Sequence, residues 1–204
     1  MFEKINDVRM HLCHPITFMT ISGWYGLITV VKLLSAFQFS VLLSPSAFKD
    51  AWFANFWGVY GPLIRTGCSQ DVSPLINQAR GVVLDIGPGN GEWLALFDKT
   101  KVTKIYGVEP NADHHVALRQ KIKEAGLADI YEIVPVGIQD VGPFLEAEKG
   151  GVDSVVTIHC LCSIKQPREM IGTLYGYLAK GGSWIVFEHV VMKQGGVIAW
   201  YQCE

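Results

Sequence analysis

The run Val82-Val83-Leu84-Asp85-Ile86-Gly87-Pro88-Gly89-Asn90-Gly91-Glu92 holds the chain's most informative chemistry. An apolar strand breaks into three alternating glycines, and without Cβ atoms the backbone can turn tightly and approach a ligand. A second short apolar run, Ile105-Tyr106-Gly107-Val108-Glu109-Pro110, ends in a carboxylate that could take both hydroxyls of a ribose. The two segments together predict a nucleoside site. In a dinucleotide fingerprint, G-x-G-x-x-G, a helix N-terminus faces a pyrophosphate. Here the third glycine comes one residue early and Glu92 stands in its place, where a carboxylate would repel phosphate.

This acid-x-Gly-x-Gly-x-Gly pattern resembles motif I of the class I S-adenosylmethionine (SAM) dependent methyltransferases. Val152-Asp153-Ser154-Val155-Val156-Thr157-Ile158-His159 resembles that family's fourth strand, and Lys180-Gly181-Gly182-Ser183-Trp184-Ile185-Val186-Phe187-Glu188 its Gly-Gly turn and fifth strand. Tyr131 to Asp140 supplies a third strand and the adenine-reading position. The resemblance covers roughly residues 75 to 192. Within the superfamily, Leu161-Cys162-Ser163-Ile164-Lys165 followed by Glu188-His189-Val190 is most similar to membrane-associated methyltransferase-like proteins that include thiol S-methyltransferases.

The resemblance implies SAM as cofactor and gives each site residue a role. Asp85, Gly87, Gly89 and Gly91 would hold the methionine end, with Asp85 acting through hydrogen bonds or water, and Glu109 would accept both ribose hydroxyls. Ile138 and Gln139 would contact adenine, and His159 would lie where the fourth strand ends beside the sulfonium. His189 is the candidate base for an acceptor proton. Each role has a structural alternative: Asp85 fixing a turn, Gln139 in solvent, His159 packing in a loop. The expected activity is methyl transfer to a small apolar acceptor, a thiol, hydroxyl or amine. The alternative is a methyltransferase-like protein that binds SAM or a partner without turnover.

The elements that must position these residues read as α/β. Strands alternating with helical patterns predict a Rossmann-like sheet of five parallel strands covered on both faces. Helices are expected from Asn90 to Phe97, from Asn111 to Ala125 with Gly126 at its end, and from Pro167 to Leu178. Only sixteen residues follow Glu188, so the family's C-terminal antiparallel pair is expected to be missing or shortened. A shortened natural form, a fragment and a variant whose fifth strand is an edge for another chain all fit. A homo-oligomer through that edge is one expectation.

Residues 1 to 46 form a hydrophobic N-terminal segment, in which Lys32 is the single formal charge between Pro15 and Leu43. The stretch is long enough to cross a bilayer as one helix, but Lys32 divides it. A bent hairpin and an interfacial helix are therefore equally reasonable. Membrane association, with the catalytic domain facing the cytosol, is the leading expectation; helices covering the pocket of a soluble, cytoplasmic enzyme are the alternative. Residues 47 to 74 read as an aromatic helix, ended by Pro62, and a linker over 66 to 74. The SAM-binding domain then takes residues 75 to 204.

Composition narrows the partners. The formal net charge is −2 over 204 residues, which offers no general basic surface and disfavours nucleic acid. Five cysteines without metal-like spacing predict a mostly reduced protein and no metal site.

Overall fold

A computed structural model describes residues 2–190, with backbone alone over 2–15. The described chain divides into two compact units, one running to Phe56 and also taking in His189, the other spanning Trp57–Glu188.

The first unit is helical. Helix α1 (Phe2–Ser35) runs through Lys32 without a break, and the chain turns at Phe37, where φ is 56°, into α2 (Phe39–Leu43) and then α3 (Pro45–Ile76). The break thus falls five residues beyond the charge expected to cause it. Lys32 stays on the helix because its ammonium donates to Asn55 Oδ1 at 2.6 Å. The early part of α3 is clamped to α1 at other points too. Trp52 Nε1 donates to the Ser22 carbonyl at 2.7 Å, and Phe56 meets Phe18 and Tyr25 edge to face. The opposite side of α1 exposes Ile16, Met19, Trp24, Leu27 and Val31.

Helix α3 corrects the expected linker. It continues through Pro62 and residues 66–74 to Ile76. The helix holds two internal prolines, Pro62 and Pro74, each costing about 3 kcal/mol through its lost hydrogen bond and ring clash. Val72 and Ile76 are fully buried against the sheet, and burying two such side chains is worth about 1.5–3 kcal/mol each. That packing offsets much of the cost of the two prolines, and the helix continues through both.

The second unit is built on five parallel strands, β1 (Gly81–Ile86), β2 (Val102–Val108), β3 (Tyr131–Val134), β4 (Val152–Ile158) and β5 (Leu178–Phe187), in the order β3-β2-β1-β4-β5. Both faces are covered, which is why the strands read as continuous apolar runs. Val83, Ile105 and Val156 pack with α3 and with Leu118 and Ile122 of α4 (His115–Glu124); Leu84, Val108 and Val155 pack on the other face with Leu174 of α5 (Pro167–Tyr177). Strand order reverses at β1, so the crevice at the carboxyl ends of β1, β2 and β4 is the expected ligand position for such a sheet.

Three local readings change. The helix expected from Asn90 to Phe97 is a turn and one short 3-10 segment, Leu94–Leu96, because little chain remains before β2 and Asp98 caps a turn by accepting the Thr100 N–H. The helix expected from Asn111 opens with a 3-10 turn, Ala112–His114, which Asn111 caps through the Asp113 N–H; it ends at Glu124, two residues before Gly126, whose φ is 63°. Strand β5 starts six residues earlier than Trp184, and the Gly181-Gly182 turn becomes an irregularity within it. It is the last strand of the sheet among the described residues, and any antiparallel pair formed from residues 191–204 lies outside them.

Candidate functional site

The glycine run leaves β1 at the strand-order reversal. Gly89 has φ 56°, and a Cβ there would come within 3.3 Å of the Trp57 indole on α3, so both its conformation and its surroundings favour glycine. Its N–H donates to Glu109 Oε2 at 3.0 Å, while the other Glu109 oxygen accepts the Asn111 N–H at 2.9 Å. The end of β2 is thereby tied to the loop after β1. His115 Nε2 pairs with the Glu109 carbonyl at 2.8 Å, and His114 Nδ1 with Asn90 Oδ1 at 2.7 Å. Burial, reinforced by His115, pushes His114 down to about 4, so its ring is neutral at neutral pH.

Asp85 lies buried beneath the same loop. The Tyr131 hydroxyl donates to its Oδ2 at 2.9 Å. Burial pushes the Asp85 carboxyl up to about 7; the Tyr131 hydrogen bond opposes that rise and the Glu109 charge adds to it. Beside it is a cavity of about 10 Å³ lined by Gly87, Gly91, Leu94, Phe97 and Val156, the volume one water needs. On the outer side of the loop an open groove of about 720 Å³ runs between Arg65 and Lys121, with Glu92 in its wall.

The remaining candidates occupy neighbouring strand ends. Ile138 is buried in a 3-10 turn after β3, but Gln139 is exposed and its amide donates to Asp140 at 2.9 Å. His159 takes a left-handed conformation, φ 53°, immediately after β4; its N–H donates to the Phe187 carbonyl and its ring packs edge to face on Phe187, centroids 5.0 Å apart. His189 is exposed and falls in the first unit, outside the unit that carries the other candidates.

Glu188 is a site residue that sequence reasoning left without a role. Its Oε1 accepts the N–H groups of Cys160 and Leu161 at 3.0 and 3.2 Å and the Cys160 thiol at 3.5 Å. Burial, then this carboxylate, pushes the thiol well above its usual range. Cys160 also abuts the glycine run, since a Cβ at Gly87 would lie 2.9 Å from its own Cβ. The available signal is an acid that ends a strand, one residue before His189. Tyr131 was likewise missed as a partner of Asp85.

A family model described as a methyltransferase domain matches residues 64–194. The chain belongs to that methyltransferase family. The matched span contains all five strands and the whole cluster around Asp85 and Glu109. Among solved structures, the methyltransferase chain is similar to an O-methyltransferase family protein from Burkholderia thailandensis, at 19% identity and a TM-score of 0.52 over 78% of this chain and 52% of that one. It is also similar to DhpI, solved as a complex with SAH, at 18% identity and a TM-score of 0.51 over 68% of this chain and 64% of that one. The chain thus spans about half of the first relative's length and under two thirds of the second's. These likenesses concern the fold. No curated protein matches the sequence.

Proposed function

We propose that this methyltransferase-family chain binds SAM and transfers its methyl group to a small apolar acceptor, a thiol, hydroxyl or amine of a lipid or secondary metabolite. The observation that carries the reading is the buried Glu109 carboxylate held against the Gly89 backbone at the carboxyl ends of β1 and β2. Its acceptor oxygens suit a nucleoside. The two carboxylate oxygens, which accept the Gly89 and Asn111 N–H groups, lie where the two ribose hydroxyls would be received. The DhpI complex with SAH supports the choice of nucleoside.

When bound, SAM supplies a methyl group already activated by the sulfonium charge. The protein's tasks are then alignment and exclusion of water. Glu109 orients the ribose by a bidentate, charge-assisted contact. Asp85 acts on the methionine ammonium through the glycine loop, directly or through a water of the size its cavity admits. Ile138 presents its backbone N–H toward adenine while its side chain stays in the core, and Gln139 reaches adenine with its side chain after leaving Asp140. Glu188 holds the backbone of Cys160 and Leu161, which fixes the segment after β4, including His159, at the edge of the site. His189, next in sequence after Glu188, takes the proton of a hydroxyl or amine acceptor; a thiol needs this help least because thiolate is available near neutral pH.

The same proposal assigns the chain to a membrane surface, cytosol-facing, in keeping with the thiol S-methyltransferase-like resemblance. Residues Ile16–Ser35 of α1 have the length and composition to cross a membrane, and only 11% of that stretch is buried. The decisive test is calorimetric titration with SAH and, separately, NAD, followed by labelled methyl transfer to a panel of thiols, phenols and amines. SAH binding with turnover supports the reading. Tight binding of NAD alone overturns it.

A further inference from the structure

Tyr131 opens β3, yet its hydroxyl reaches Asp85 on β1, two strands away. The residue of β2 aligned with Asp85 is Gly107, and a Cβ at Gly107 would fall on the Tyr131 phenol. Asp85, Gly107 and Tyr131 share the sheet face of Val83 and Ile105, since alternate residues point the same way. β2 is thus notched where the phenol crosses it. A glycine inside a strand weakens the strand and often marks a close approach; here the approaching group is a hydroxyl aimed at a buried acid.

We infer that Tyr131, laid through the Gly107 notch, is a positioning residue for the cofactor site: it orients the Asp85 carboxyl toward a cationic ammonium beneath the glycine loop and sets the pH range over which capture of that ammonium releases the Asp85 proton. The inference rests on the SAM reading above and deepens it. The groups that face Asp85 are the Tyr131 phenol from β3, the Glu109 carboxylate from the end of β2 and the Cys160 thiol from the segment after β4. Helix α3 adds Ile76, and the segment after β1 adds Trp93, Leu94 and Phe97, all uncharged. Enclosure by these groups favours the neutral acid in the ligand-free protein. An ammonium reverses the preference: the O–H bond of the acid breaks, the carboxylate pairs with the ligand, and the proton leaves to solvent.

The coupling has two separable readouts. The first needs no ligand: the ¹³C-carboxyl signal of Asp85, identified by its loss in Asp85→Asn, is titrated in the parent and in Tyr131→Phe, which keeps the ring but removes the donor. Since the hydrogen bond favours the carboxylate, the midpoint should move up by about one pH unit or more in the variant, the scale of a bond to a charged group. The second is proton release on SAH binding, from calorimetry in buffers of different ionisation enthalpy. About one proton should be released per SAH near pH 6, falling toward zero above pH 8, and none through this group in Asp85→Asn. Gly107→Ala should reproduce the Tyr131→Phe shift although the phenol is retained. An Asp85 midpoint unchanged in Tyr131→Phe, or no proton release by the parent near pH 6, overturns the inference. Failure of the parent to bind SAH at any pH instead overturns the SAM reading itself, and the ligand-free titration tells the two failures apart.

Discussion

The Glu109 carboxylate accepts the Gly89 N–H at 3.0 Å, so the acid ending β2 and the central glycine of the loop after β1 form one unit, not two neighbouring motifs. Replacing Glu109 with alanine should weaken SAH binding by about 1.5–3 kcal/mol, because two ribose hydroxyls lose a charged acceptor and the loop loses its tether. Calorimetry, with circular dichroism to show that the fold persists, checks this. Unchanged affinity removes Glu109 from the site.

Gly89→Val should affect binding more severely. The position combines a left-handed φ with the Trp57 indole 3.3 Å from any added Cβ, and a β-branched residue is poorly suited to both. The measurement is SAH affinity in the folded variant. Normal binding would mean that the glycine run is only a turn.

The loop after β4 should depend on Glu188. Glu188→Ala removes the acceptor shared by the Cys160 and Leu161 N–H groups, a loss of about 1–3 kcal/mol in stability for groups left buried. Amide hydrogen exchange should quicken at residues 160 and 161 and stay unchanged at Gly89. Equal exchange at all three positions in parent and variant would show that the carboxylate holds nothing.

Stability should respond to pH in two opposed windows. Asp85 is raised from 3.8 to about 7, so its contribution is present at low pH and is lost as pH rises from about 4 through 7. His114 is lowered from 6.5 to about 4, so its contribution is present above 6.5 and is lost as pH falls toward 4. Asp85→Asn should therefore raise thermal stability at pH 8, by about 4 kcal/mol at most, and leave it little changed at pH 4. Denaturant melts of both proteins at the two pH values test the sign. A variant less stable than the parent at pH 8 would contradict the buried, raised acid.

The exposed face of α1 should bind lipid. The full chain should float with phosphatidylcholine vesicles, and the pair Leu27→Glu with Val31→Glu, both on that face, should abolish flotation, since each charge costs several kcal/mol in hydrocarbon. Soluble parent protein that ignores vesicles would favour a role for these helices in covering the fold.

Much of the site can be read from the sequence because its signals are local. A strand followed by three glycines, a second strand closed by Glu109, and continuous apolar runs for β1, β2 and β4 each depend on residues a few positions apart. They predict the parallel sheet and the nucleoside position before any contact is known. What the tertiary structure alone decided depends on register and packing across long separations. Tyr131 meets Asp85 only because Gly107 is aligned with Asp85 between them, and a slip of one residue would place their side chains on opposite faces. Glu188 grips Cys160 and Leu161 only because β5 lies beside β4. Helix α3 passes Pro62 because Val72 and Ile76 are buried against the sheet, an energy that local propensity does not contain.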